Sequence, residues 1–271
     1  MRIHRRHGAR IVLIGAAALL VAGAATALAS NVSTLSGTKI TPSKLPKTTF
    51  KPVSLFVHTG TTYTHPGDKA HGGFAKTVTL LFDNDGKVTP GSIPKCAGNF
   101  ASGTTLKQAW NTCGPGAGAS KNAYLSPTSG VSGRASTAPP SNFNGCVLAF
   151  NGVPSNGHPT IVLFTRVTLA VNGTANCANP ANNTSGNTSL TLKGTLTNAG
   201  VTDFGKKLTV PNVDTAPLPL DDFQAGIQRG NYVQGRCNDT NKTWNFRGVF
   251  DYSGVGQARD TVNATQACTV G

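Results

Sequence analysis

No glutamate occurs anywhere in the 271 residues, so all ten acidic side chains are Asp. Charged residues make up 13% of the chain and aromatics 7%, and the one Met is the first residue. Solvent-exposed helices draw on Glu, Lys and Ala together, so this composition predicts strands and loops. The absence also narrows acid–base chemistry. A glycosidase needs two placed carboxylates, and the only close pairs are Asp83 with Asp85, in a turn sequence, and Asp221 with Asp222, beside Pro219. No G-x-S-x-G elbow is present, and Gly130-Val131-Ser132-Gly133 only approximates one. S-x-x-K occurs at Ser36 and Ser92 without its companion motifs. No C-x-x-C pair is present, which argues against a thiolate metal site.

What is there begins with a charged and apolar N-terminus. Arg2, Arg5, Arg6 and Arg10 precede an uncharged run from Ile11, which ends in Ala27-Leu28-Ala29. A positive segment, an apolar segment and a small-x-small end predict a signal peptide over residues 1–29, cleaved after Ala29. An uncleaved membrane anchor is the alternative reading. Cleavage would leave 242 residues, ten Asp and twenty Lys and Arg, hence a net charge of +10 and no membrane segment. That charge is too dilute to indicate nucleic acid but favours anionic neighbours such as wall polymers. Residues 30–52 interleave Lys39, Lys44, Lys47 and Lys51 with Pro42, Pro46 and Pro52, which predicts a flexible cationic leader.

Residues 53–271 read as a single β-rich domain. Its best candidate for a mid-sheet strand is Thr160–Val171, T-I-V-L-F-T-R-V-T-L-A-V, set between Pro159 and the turn pair Asn172-Gly173. Further strand patterns are V-S-L-F-V-H at 53–58, T-V-T-L-L-F at 77–82, Cys146–Phe150, the alternating S-L-T-L-K-G-T-L at 189–196, Lys207–Val210, Phe223–Arg229, Tyr232–Cys237, Thr243–Tyr252 and Gln257–Ala264. Asp83-Asn84-Asp85-Gly86 is a hairpin turn. Leu81 stands where a calcium loop would begin, and no Glu closes one. One short helix is expected over 104–113, capped by Thr104 or Thr105 and ended by Gly114-Pro115, with Leu106, Ala109 and Trp110 on one face. Residues 114–145, rich in Gly, Ser and Pro, read as a long loop with a short strand at Ala123–Leu125. The fold class is therefore all-β: an antiparallel β-sandwich or jelly-roll-like domain with one short helix near 104–113.

Six cysteines, Cys96, Cys113, Cys146, Cys177, Cys237 and Cys268, follow the leader. An even count in an exported chain reads as three disulfides; six cysteines allow fifteen connectivities, and pairing sequence neighbours is the economical one.

Two groups of side chains suggest binding chemistry. His58, His65, Asp68 and His71 lie within one short stretch, where imidazoles brought together by a turn would bind copper or zinc; solvated loop histidines are the alternative. Among the aromatics, Tyr63, Tyr124 and Tyr232 are the candidates for stacking against sugar rings, with core packing as the alternative for each.

The order L-F-D-N-D-G-K-V-T (80–89), I-P-K-C (93–96) and G-T-T-L-K-Q-A-W-N-T-C (103–113) resembles a group of secreted actinobacterial proteins. So does the later order F-N-G (150–152), H-P-T-I-V-L (158–163), L-T-V-P (208–211), Y-V-Q-G-R-C (232–237) and W-N-F-R-G-V-F (244–250). The resemblance covers most of residues 75–268. It implies export, a β-rich fold and paired cysteines, and carries no activity. Cys146 and Cys177 are additions to that pattern. The functional expectation is a secreted, non-catalytic protein of the envelope or extracellular space that contacts wall polymer or glycan and needs no cofactor. An extracellular carbohydrate-active enzyme and a His-based metal binder are the alternatives.

Overall fold

The computed structural model describes residues 30–271 apart from 66–67, 69–72, 127–129, 139–142, 169–176, 187, 215–219, 239–241 and 258. Its strands are β1 (Val32–Thr34), β2 (Lys39–Thr41), β3 (Lys44–Leu45), β4 (Lys51–Pro52), β5 (Ser54–Thr62), β6 (Ala75–Asp83), β7 (Gly86–Val88), β8 (Gly133–Thr137) and β9 (Asn144–Ser155). They continue with β10 (His158–Thr168), β11 (Thr188–Val201), β12 (Phe204–Pro211), β13 (Leu220–Ile227), β14 (Val233–Gly235), β15 (Thr243–Tyr252), β16 (Arg259–Ala267) and β17 (Thr269–Val270). The helix α1 spans Leu106–Cys113. The domain is all-β and antiparallel except for the short parallel pair β3–β17. No helix among the described residues is long and apolar enough to cross a membrane.

One long sheet dominates, in the order β1-β5-β13-β8-β9-β10-β11-β12-β6-β15-β16, with β2 added beside β5. The apolar strand at its centre is β10, as its sequence predicts. Alternate residues of each strand share a face. Leu55 and Val57, Val147 and Ala149, Ile161 and Leu163, Leu192 and Leu196, and Leu208 and Val210 all meet in one buried cluster. Strands from both halves of the sheet can meet there only because the sheet curls around that cluster.

Curling brings the two ends of the sheet together, and side chains close the seam. On β16, Gln266 accepts from the Ile40 amide at 2.6 Å and donates to the Ile40 carbonyl at 2.8 Å. Asp260 accepts from the Ser33 amide at 2.8 Å, and the Ser33 hydroxyl lies 2.5 Å from that of Tyr252. Unpaired sheet edges invite pairing with other chains; here each edge is covered by the other.

The seam corrects the reading of residues 30–52. The segment is part of the barrel wall: Asn31, Ser33, Leu35, Ile40 and Leu45 are buried, while Lys39, Lys44 and Lys51 face solvent. Single apolar residues spaced among Lys and Pro supply the inward face, and the prolines fall where no ladder amide is needed. The Gly- and Ser-rich stretch 114–145 also contributes more than a loop. It supplies β8, squeezed between β13 and β9. A Cβ at Gly133 would lie 1.8 Å from the Gln224 carbonyl oxygen, so only glycine permits that approach.

All three disulfides join sequence neighbours: Cys96–Cys113, Cys146–Cys177 and Cys237–Cys268. Three such bonds fit an extracellular or otherwise oxidising compartment.

Gln266→Ala leaves both main-chain groups of Ile40 without their side-chain partner. It is expected to lower stability by about 1–2 kcal/mol, and to speed hydrogen exchange at Ile40 while leaving β10 amides unchanged. Urea melts combined with amide exchange would measure both.

Candidate functional site

A groove lies on the outside of the barrel, beside α1. Thr105 caps the helix reciprocally: its hydroxyl accepts from the Gln108 amide at 3.1 Å, and the Gln108 side chain accepts from the Thr105 amide at 2.7 Å. Leu106, Ala109, Trp110 and Cys113 form the buried face. They pack with Leu148 and Phe150 of β9 and Val162 and Phe164 of β10. The central strands are thus covered on both sides, which is why their apolar runs are nearly continuous.

Residues 94–104 run alongside. Cys96 exchanges main-chain hydrogen bonds with β9, donating to the Asn151 carbonyl at 2.8 Å and accepting from the Val153 amide at 3.2 Å. The 96–113 disulfide then fixes this loop to the helix C-terminus. Gly98, at φ +65°, passes so close to the sheet that a Cβ would lie 2.8 Å from both Val162 methyls.

Between loop and helix runs a groove of about 880 Å³. Gln108 and Thr112 from the exposed side of α1, Asn99 and Phe100 from the loop, and the side chains of Lys95 and Lys121 line it. Asn99 accepts from Lys193 Nζ at 3.0 Å, which sets a third ammonium beside the groove. Among the described residues, no acidic side chain lines it. Cations, hydroxyls and carboxamides without a carboxylate suit an anionic, hydroxyl-rich ligand. Sequence reasoning missed this group because its lysines lie far apart in the chain and carry no local pattern.

The expected stacking tyrosines are core residues. Tyr63 is 9% exposed, Tyr124 1% and Tyr232 0%, so none presents a ring face to a sugar. Tyr63 donates to the Leu220 carbonyl at 3.0 Å and meets Phe74 edge-on. Tyr124 donates to the Gly130 carbonyl at 2.6 Å and packs edge-on against Trp110. Tyr63 and Tyr124 have polar sequence neighbours, but both rings turn inward to bury their area.

Among the described residues, His58, His65 and Asp68 do not come together as a metal-ligand group. His58 Nε2 is 2.5 Å from Asp222 Oδ2 on β13, and Gln224 donates to the other oxygen of that carboxylate at 3.2 Å. His65 and Asp68 sit together in the loop after β5, where the Asp68 amide donates to the His65 carbonyl at 3.1 Å. His71 lies outside the described residues. Among those described, no group of three or more His, Cys, Asp or Glu is placed to hold a metal ion. Ser36 Oγ lies 3.5 Å from His58 Nδ1, at the outer limit of a hydrogen bond, and Ser36 is exposed. Ser36, His58 and Asp222 thus lie in a row, with the imidazole held by the carboxylate and the hydroxyl at the far side of the ring.

The paired carboxylates have structural partners. Asp83 is buried and accepts from the Asp85 and Asn245 amides, both at 2.9 Å. Asp85 is buried against Arg236 at 2.9 Å and also accepts from the Asn238 amide. Asp221 accepts from Ser136 at 2.6 Å.

Burial pushes the Tyr124 phenol up to about 12 and raises Tyr63 and Tyr232 further; it raises Tyr252 as well. These are all four tyrosines of the chain. An ordinary tyrosine ionises near pH 10. The folded state keeps its phenols protonated beyond that value, so their stabilisation is intact below about pH 10 and is lost as pH rises towards 12. The absorbance change of phenolate formation is expected to coincide with loss of near-UV circular dichroism. Two or more tyrosines titrating reversibly near pH 10 in folded protein would restore the stacking role.

Set against protein families, curated proteins and solved structures, the chain shows no match, and its functional reading rests on its own geometry.

Proposed function

We propose that this is an exported, non-catalytic binding protein that holds an anionic, hydroxyl-rich polymer of the cell envelope, wall polymer or glycan, in the groove beside α1. The observation that carries the reading is the groove itself: about 880 Å³, lined by Lys95 and Lys121 and, among the described residues, by no acidic side chain. Three disulfides support a place outside the cytoplasm. The scaffold suits binding as well, because helix, loop and sheet are locked together by the 96–113 bridge, and a preformed groove costs little ordering on binding. Ordered amides and hydroxyls then give contacts that outlast salt, whereas the lysines alone would give a screened attraction.

Co-sedimentation with isolated wall polysaccharide tests this. Reversing both groove charges, Lys95→Glu with Lys121→Glu, is expected to weaken pelleting about tenfold at moderate salt. Reversing the exposed Lys39 and Lys51, which do not line the groove, should change it less than twofold. Equal losses from both double variants would reduce the binding to general charge, and no loss from either would remove the groove from consideration.

A further inference from the structure

The row of Ser36, His58 and Asp222 lies where β1 and β2 turn over β5. β1 pairs with residues 60–62 of β5 and β2 with residues 54–56, so the turn at 35–38 stands opposite His58. That turn is held from both ends. Ser33 before it and Ile40 after it are tied to β16, and the Thr38 hydroxyl accepts from the His58 amide at 3.2 Å. Gly37 adopts φ +68°, and a Cβ there would lie 3.8 Å from His58 Nδ1. Glycine lets the chain turn here without covering the ring nitrogen.

The contacts at the other nitrogen set the tautomer. His58 Nε2 lies 2.5 Å from Asp222 Oδ2, and a carboxylate only accepts, so the ring proton sits on Nε2. The Gln224 carboxamide nitrogen, 3.4 Å from Nε2, donates to the second carboxylate oxygen at 3.2 Å and steadies it. Nδ1 is then the unprotonated nitrogen, and it faces the Ser36 hydroxyl at 3.5 Å. A serine hydroxyl is a weak nucleophile until a base takes its proton, and an imidazole oriented by a carboxylate is such a base. The contact is long for a hydrogen bond, but contacts of this kind tighten when the reacting group arrives. Ser36 is exposed, so an acyl donor reaches it without any opening of the fold.

We infer that Ser36 is an acyl-acceptor site, whose hydroxyl takes the acyl group of an ester or thioester with a good leaving group. The bond from Ser36 Oγ to the acyl carbon forms, and the bond from that carbon to the leaving oxygen or sulfur breaks. His58 Nδ1 takes the hydroxyl proton and passes it to the leaving group, while Asp222 stabilises the imidazolium between the two transfers. The products are a serine ester on the chain itself and a free alcohol or thiol. The event modifies this protein and is independent of binding at the groove. Asp222 acts through His58 and is a positioning residue.

p-Nitrophenyl acetate at neutral pH is the probe, with the purified disulfide-bonded protein followed by intact mass and peptide mapping. Ser36 is expected to gain an acetyl group about a hundredfold faster than other exposed serines. Ser36→Ala should remove this label, and His58→Gln should remove the rate advantage with circular dichroism unchanged. Asp222→Asn should slow labelling at least about tenfold, and Asp222→Glu should restore part of it. Nitrogen-15 shifts of His58 should show the proton on Nε2 in the parent and mixed tautomers in Asp222→Asn, a change that lost stability alone does not produce. Labelling of Ser36 no faster than other exposed serines would overturn the inference, and so would labelling that His58→Gln leaves unchanged.

Discussion

Closure of the long sheet is the constraint on which the rest depends. An open antiparallel sheet of this length would expose two edges and leave the inner faces of its end strands without a partner layer. Closure by a continuous backbone ladder is one solution, and this chain uses another. Gln266 and Asp260 reach across the gap to β1 and β2 and satisfy main-chain groups one by one, and Tyr252 meets the Ser33 hydroxyl. The first strands after the N-terminal segment are thereby joined to the last, so the fold is complete only when both ends of the chain are present. The 237–268 disulfide and the parallel β3–β17 pair fasten the same region from the C-terminal side.

Closure also decides what β9 and β10 can do. Their inner residues, Val147, Ala149, Ile161 and Leu163, look into the barrel, and their outer residues, Leu148, Phe150, Val162 and Phe164, lie under α1 and its loop. A strand pair apolar on both faces is stable only where both are covered. The helix is short, but capping, the 96–113 bridge and a fully buried face hold it against the sheet. The groove is the by-product of a helix and loop that meet the sheet without closing on one another.

Much of this was legible from residue patterns. The length and β-branching of β10 marked a central strand, Thr105 and Gly114 bounded the helix, and pairing cysteines with their sequence neighbours matched all three bonds. What escaped has a common cause. Leu35, Ile40 and Leu45 are single apolar residues among lysines and prolines, and their value appears only when the sheet closes over them. β8 rests on Gly133, whose role is the space it leaves. Tyr63 and Tyr124 sit among polar neighbours along the chain but among apolar ones in space. Local composition reports on local structure. Burial and convergence are set by partners far away in sequence, and the groove lysines are the same problem seen from outside.

The groove and the barrel interior sit back to back across a single strand. Val162 faces Gly98 beneath the groove, and its neighbours Ile161 and Leu163 line the interior cavity. Successive side chains of a strand point to opposite faces, so one backbone carries both surfaces. The two differ in every respect that governs affinity. The groove is wide, wet and cationic, and favours a polymer through several modest polar contacts that salt weakens. The interior space is small, about 100 Å³, and its wall is almost wholly apolar. A rigid core between them transmits strain readily, yet neither surface needs the other to be complete: the groove is built by α1 and the 94–104 loop, the cavity by the closure of the sheet. Weakening the helix should therefore erode the groove first, and weakening the seam the cavity.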